Sequence, residues 1–291
     1  MDLSQTLILG FIAGATIVLG LPVGRLKRPM PSLRVFLNAT AVGVLLFLVW
    51  DILSAGWAPV DASLAAIHQH TGGMAPVFGY GALFAGGLAV GLLSLVAYER
   101  YMSRVTGRQV KAKLGPGAMS VHELPARAGI ASWSPARRLA LLIAVGIGLH
   151  NLAEGLAIGQ AAASDQVALA TLLVIGFGLH NATEGFGIVA PLAGDIDADG
   201  ATRRPSWLFL LGLGLIGGGP TFVGTWIGHG FTSEAVSVIF LSLAAGSIIY
   251  VVTQLLGIAA KAKRSDLLAC GLLLGLLAGF LTDGIIIAAG V

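Results

Sequence analysis

The sequence predicts an all-α integral membrane protein of eight transmembrane helices, forming one domain over residues 1–291 with both termini outside. Three observations carry this reading: the composition, the recurrence of bilayer-length apolar runs, and the placement of the basic residues. The chain is 56% hydrophobic and only 11% charged, with a mean hydropathy of +0.89. A soluble domain carries about 25% charged residues, so a water-soluble globule is excluded. The 42 glycines fit the membrane class, because small residues let helices approach closely in lipid. The single cysteine, Cys270, excludes an intrachain disulfide and a cysteine-rich zinc site.

Apolar runs of about 20 residues read as spanning helices, and they fall at roughly 3–24, 33–55, 76–98, 139–162, 165–192, 206–229, 232–259 and 266–290. The first follows Asp2 directly. It has no basic residue before it, and Arg25, Lys27 and Arg28 come after it. It is therefore an inserted span and not a cleavable signal. The second carries Asn38 within it and Asp51 at its outer end, and the third, GALFAGGLAVGLLSLVAY, has no charge before Glu99. The fourth and fifth contain the polar residues taken up below. The sixth holds GLGLIGGGP, a close-packing pattern; a phosphate loop there would need a lysine that is absent. The seventh reads SLAAGSIIYVVTQLLGIA, and the eighth, after Asp266 at its start, is apolar apart from Asp283, about two turns inside its outer end. None of these runs alternates as a transmembrane β-strand must, so helices satisfy the backbone.

All 17 lysines and arginines lie in loops 1–2, 3–4, 5–6 and 7–8 or at the helix ends beside them. Every one is thus on one side, which the positive-inside rule makes the cytoplasm. The pI near 9.2 is a topology signal and not a nucleic-acid patch. The segment about 99–138, rich in Gly, Pro, Ser and basic residues, reads as a flexible cytoplasmic loop.

One motif occurs twice. GIGLHNLAEGLAIG (146–159) and GFGLHNATEGFGIV (176–189) are 30 residues apart and identical at eight of fourteen positions. An i, i+4 spacing puts His150 and Glu154 on one helix face, and His180 and Glu184 likewise. A short turn at AASDQ makes the two helices antiparallel. The copies are then related as a small inverted repeat with its polar residues near the midplane. Such a pair can simply lock two helices. Two copies at equal depth on adjacent helices point instead to a shared site. Two imidazoles and two carboxylates suit a divalent transition metal: zinc takes both ligand types, and iron, manganese, cobalt and cadmium are not excluded by ligand type. The empty site carries a charge of −2 in low dielectric, so metal and protons are expected to compete there. A metalloprotease helix would need two His four apart with Glu beside the first; here Asn follows each His.

HNLAEG on a fourth helix, a second His-x-x-x-Glu on the fifth, eight spans and a long loop 3–4 resemble the bacterial branch of the ZIP (Zrt/Irt-like) divalent metal transporters. Helix 7 resembles that family's seventh helix. The resemblance implies an inner bundle of helices 2, 4, 5 and 7, a homodimer, metal movement into the cytoplasm, and His150, Glu154, His180 and Glu184 as metal ligands. Ala153 and Thr183 stand where the family often has proline. Asn181, Gly219 before Pro220, and Gln254 stand where acids are common. With Asn151 and Asn181 offering neutral oxygens only, one metal is expected. Asn151, Asn181, Gln254, Asn38, Asp51 and Asp283 are candidate secondary contacts, and His68 and His70 of IHQHTGG are candidate capture residues at the entrance. His229 reads as interfacial. The lone His122 does not make loop 3–4 a metal sensor, and Asp195, Asp197 and Asp199 lack the glutamate that a calcium loop needs, since Ser206 stands at its position 12.

The expected function is transport of a divalent metal, zinc first, across the inner or plasma membrane. An intramembrane metalloenzyme and a metal-selective channel are the alternatives. The metal is transported ligand and not cofactor, and the bilayer is the other partner.

Overall fold

The computed structural model describes residues 1–25, 31–111, 133–189, 191–192, 204–261 and 263–289. Eight α-helices follow in order: α1 (Leu3–Ala15), α2 (Pro31–His68), α3 (Met74–Lys111), α4 (Pro135–Ala163), α5 (Val167–Val189), α6 (Trp207–His229), α7 (Glu234–Lys261) and α8 (Ser265–Ala288). Among the described residues there is no strand. Each of the eight helical stretches is long and apolar enough to cross a membrane.

Local chemistry sets the helix starts. Asp2 accepts from the Gln5 amide at 2.7 Å and forms a capping box at α1. Ser134 caps α4 with Pro135 in its first turn, and Ser206 caps α6. Three ends turn through left-handed residues, His70 after α2, Asp165 after α4 and Lys263 after α7. Asp165 lies in the turn that reverses α4 into α5, as the AASDQ segment predicts.

Two expected boundaries are corrected. The second span was placed at 33–55, but α2 continues through Pro59 to His68. Its extension, PVDASLAAIH, is polar on some faces yet alanine-rich, and a proline breaks a helix only where the turn before it cannot adjust. At about 1.5 Å per residue, α2 stands well beyond one bilayer thickness. Likewise the loop expected at 99–138 is helical at both ends, because α3 runs to Lys111 and α4 starts at Pro135. Positions 112–132, with His122, lie outside the described residues, as do Asp195, Asp197 and Asp199.

Packing divides the helices into two sets. In one, α4 lies along α6, α6 along α1, and α1 along α5; in the other, α2 lies along α8 and α7, and α3 along α7. Glycines set the tightest seams. A Cβ at Gly155 would strike the Thr221 carbonyl oxygen across α4–α6, and one at Gly275 would strike that of Thr40 across α2–α8. Lipid tails are as apolar as leucine, so such close van der Waals contact is what holds membrane helices together. The sets meet where α4 packs on α7 and α2 on α5, around a core that includes Leu45, Leu48, Ile158, Leu173, Phe177, Leu241 and Ile248.

The basic residues that can be placed sit at one end of the bundle. Arg25 at the close of α1 donates to the Pro205 carbonyl and stacks on Trp207 at the start of α6. Arg137 stacks on Phe209, and Arg264 reaches Ser32 at 3.4 Å. The turn between α4 and α5 is at the opposite end.

Candidate metal centre

The four motif residues converge between α4 and α5. His150 Nε2 stands 3.1 Å from Glu154 Oε1 and 3.6 Å from Glu184 Oε1, and His180 Nε2 is 3.1 Å from the same Glu154 oxygen. The ring centroids of the two histidines are 5.7 Å apart. His150, His180 and Glu184 each offer a ligand atom within 4.8 Å of the others, and Glu154 Oε1 touches both rings from the α4 side. Donors bound at about 2.0–2.1 Å to one tetrahedral zinc stand roughly 3.3 Å apart. The three Nε2–Oε1 separations bracket that edge length.

Burial sharpens the point. Relative exposure is 1% for His150, 0% for Glu154 and His180, and 6% for Glu184. Both Nε2 atoms and all four carboxylate oxygens are buried without a hydrogen-bond partner. Native proteins rarely leave even one such group unsatisfied, and burying a carboxylate without a partner is among the costliest arrangements available. Four of these atoms, His150 Nε2, His180 Nε2, Glu154 Oε1 and Glu184 Oε1, face one another, and a metal ion or protons would satisfy them.

The outer nitrogen of each ring fixes its tautomer. Ser247 on α7 donates to the Ala244 carbonyl at 2.8 Å, so its hydroxyl proton is committed and it accepts from His150 Nδ1 at 3.0 Å. His180 Nδ1 lies 3.2 Å from the Gly176 carbonyl, which can only accept. Both rings therefore carry a proton on Nδ1, which leaves Nε2 as the nitrogen that faces the carboxylates and would bind a metal in the neutral imidazole. The Phe177 ring meets the His180 ring edge-on at 89° and closes that side.

Each motif asparagine bonds to a carbonyl of a neighbouring helix, and Asn151 also lies within reach of the Glu184 carboxylate. Asn151 Nδ2 donates to the Gly217 carbonyl of α6 at 2.9 Å, and Asn181 Nδ2 to the Ala13 carbonyl of α1 at 3.0 Å. Gly217 lies three residues before Pro220 within α6, and Ala13 precedes the tightening of α1 into the 3-10 turn Thr16–Leu19. Each asparagine's Oδ1 is buried and unpartnered.

The remaining candidates are dispersed. Gln254 lies at the other end of α7, where its amide donates to Glu99 of α3 at 3.4 Å. Tyr250 donates to the same carboxylate at 2.9 Å. Asn38 is half-buried on α2. Asp51 and Asp283 line an open cleft of about 1240 Å³ at the end of the bundle that carries the α4–α5 turn. Their carboxylates are near enough to repel each other, and Asp51 Oδ2 is buried without a partner. Gln160, Asp165 and Glu234 also line this cleft, and no lysine or arginine does. At its rim the Met1 ammonium pairs with Asp165 at 2.8 Å and holds that carboxyl below the usual carboxylate range. His68 and His70 are exposed and do not line the cleft. His229, at the end of α6, is half-buried with an unpartnered Nδ1.

Ser247 and Gln160 belong to this picture and were not singled out by sequence. A lone serine in a run of small residues gives no signal of what its hydroxyl faces. Gln160 follows the motif in plain view, but nothing in the string shows its Oε1 to be buried and unpartnered.

No family model matches the chain. It is similar to proteins named zinc transporter ZupT, among them those of Escherichia coli O1:K1 / APEC and Escherichia coli strain K12 / DH10B. Each is 30% identical over 165 residues, 56% of this chain and 52% of the relative. The chain thus spans about half the length of the curated relatives it matches.

Proposed function

We propose that this protein carries a divalent transition metal ion, zinc first, across the membrane into the cytoplasm, with His150, Glu154, His180 and Glu184 as its ligands. One observation carries the reading: four buried, unpartnered donor atoms, His150 Nε2, His180 Nε2, Glu154 Oε1 and Glu184 Oε1, stand in pairs 3.1–3.6 Å apart inside a bundle of membrane-length helices. The similarity to zinc transporters supports zinc over the other ions that such ligands accept, and transport over an intramembrane metalloenzyme. The basic residues at the opposite end support reading the cleft as external, by the positive-inside rule.

Metal would approach through the cleft past Asp51 and Asp283. Leu172 and Leu241 close its floor, at 4% and 1% exposure. His180 lies two turns deeper than Leu172, about 12 Å along α5. The seal supports a carrier over an open pore. All four ligands belong to α4 and α5, so movement of the α1, α4, α5 and α6 set against α2, α3, α7 and α8 would expose the site to each side in turn.

Zinc uptake into proteoliposomes holding the purified chain tests the reading. Wild type should load zinc, and Glu154→Ala and Glu184→Ala should insert normally but carry almost none. Full flux in both variants would remove these ligands from the mechanism.

A further inference from the structure

We propose that Ser247 of α7 is a positioning residue, which fixes the orientation and tautomer of His150 so that the metal site is complete only while α4 is seated against α7. The inference rests on the reading of His150 as a metal ligand.

The two histidines are oriented in different ways. His180 Nδ1 meets the Gly176 carbonyl of its own helix, one turn back. That bond travels with α5 wherever α5 goes. His150 Nδ1 has no partner on α4 and meets Ser247 across the boundary between the two helix sets. Among the described residues, Ser247 is the only residue of α2, α3, α7 or α8 with a hydrogen bond to a motif histidine or glutamate. It is 3% exposed, so water does not replace it in this arrangement.

The neighbouring turns of α7 offer no substitute. Four residues to either side are Leu243 and Val251, which have no polar side-chain atom. Ala244 and Tyr250 lie three residues away, and the Tyr250 hydroxyl is committed to Glu99. If α4 shifts along α7 by a turn, His150 loses its acceptor. The imidazole is then free to move its proton to Nε2, which removes the lone pair a metal needs, or to rotate away. Affinity is therefore greatest in the seated arrangement and falls on leaving it, so that binding at one half of the site is tied to helix position and binding at the other is not.

The test uses full-length protein in detergent and zinc alone as probe. Ser247→Ala removes the hydroxyl, and alanine is a good helix former, so α7 should persist. Zinc affinity should fall about 10–100-fold, the usual cost of losing such an outer partner, and Ser247→Thr, which keeps a hydroxyl, should restore most of it. In a His150→Ala background, Ser247→Ala should cost nothing further, because the two act as one unit. Equal cost in both backgrounds would mean a general packing role and would overturn the proposal. So would unchanged affinity in Ser247→Ala alongside weakened binding in His150→Ala. Nitrogen NMR of labelled histidines in metal-free protein gives an arm that needs no metal. His150 should hold its proton on Nδ1 in wild type and lose that preference in Ser247→Ala, with His180 unchanged; an unaltered His150 tautomer refutes the inference. Failure of the broader reading looks different: wild type binds no zinc, or His150→Ala binds as well as wild type.

Discussion

The copy of GLHN..EG on α4 and the copy on α5 share their His–Glu pair but not their anchors. On α4, His150 is held by α7 and Asn151 by α6, and Gly155 lets α6 approach at Thr221. On α5, His180 is held by its own helix and Asn181 by α1, and Gly185 lets the 3-10 segment approach at Ile17. The asparagine and glycine positions correspond: one ties the motif to a carbonyl of a neighbouring helix, and the other admits the backbone beside it. The histidines do not correspond. A duplicated sequence can thus give a symmetric set of donors and an asymmetric dependence on the surroundings.

The largest expected effects fall on the carboxylates. Glu154 Oε1 contacts both imidazoles and Glu184 Oε1 only one, at the longer distance. Glu154→Ala should therefore weaken zinc binding more than Glu184→Ala, as read by titration of the detergent-solubilised protein. The reverse order would show that the copies are not arranged around Glu154.

Next come the glycines. A methyl group at Gly155 or Gly185 would overlap a facing carbonyl, and overpacking of this kind costs about 1–3 kcal/mol. Both alanine variants should lower the thermal unfolding temperature by similar amounts. Gly212→Ala, whose added carbon meets nothing within 4 Å, should leave it unchanged. A large loss at one motif glycine only would break the correspondence.

The asparagines should give smaller effects. Replacing Asn151 or Asn181 with alanine removes one buried amide–carbonyl bond, worth about 1 kcal/mol of stability. A fall in zinc affinity without a fall in thermal stability would instead make their unpartnered oxygens ligands. The smallest effect is expected outside the repeat altogether: His68→Ala with His70→Ala should leave zinc uptake unchanged, since both side chains are exposed and neither lines the cleft.

Much of this arrangement was legible in the string of residues, for physical reasons. Membrane-length apolar runs announce spans because lipid demands them, and an i, i+4 pair announces a face because the helix repeat is fixed. The turn at AASDQ followed from the spacing of the two copies. The extension of α2 to His68 was hidden, because hydropathy reports what lipid tolerates and not where a helix stops. Asp51 and Asp283 stand 232 residues apart, and no local pattern indicates that α2 and α8 lie side by side. The asparagines drew attention as polar neighbours of the ligands, but their direction is a matter of which carbonyl lies on the far side of each helix. Gln254 was read by its place in a motif, whereas its side chain is occupied with Glu99 at the other end of α7.

The cleft above the site is lined by carboxylates and amides and by no imidazole or thiol. Oxygen donors of this kind hold calcium and magnesium as readily as they meet zinc, so on the proposed path the cleft would concentrate every divalent cation by charge alone, and less so as salt is raised. Discrimination must then be deferred to the two imidazoles beneath Leu172 and Leu241, where nitrogen donors favour the softer ion. The outer chamber would be a filter for valence, and the chamber below it a filter for chemical hardness.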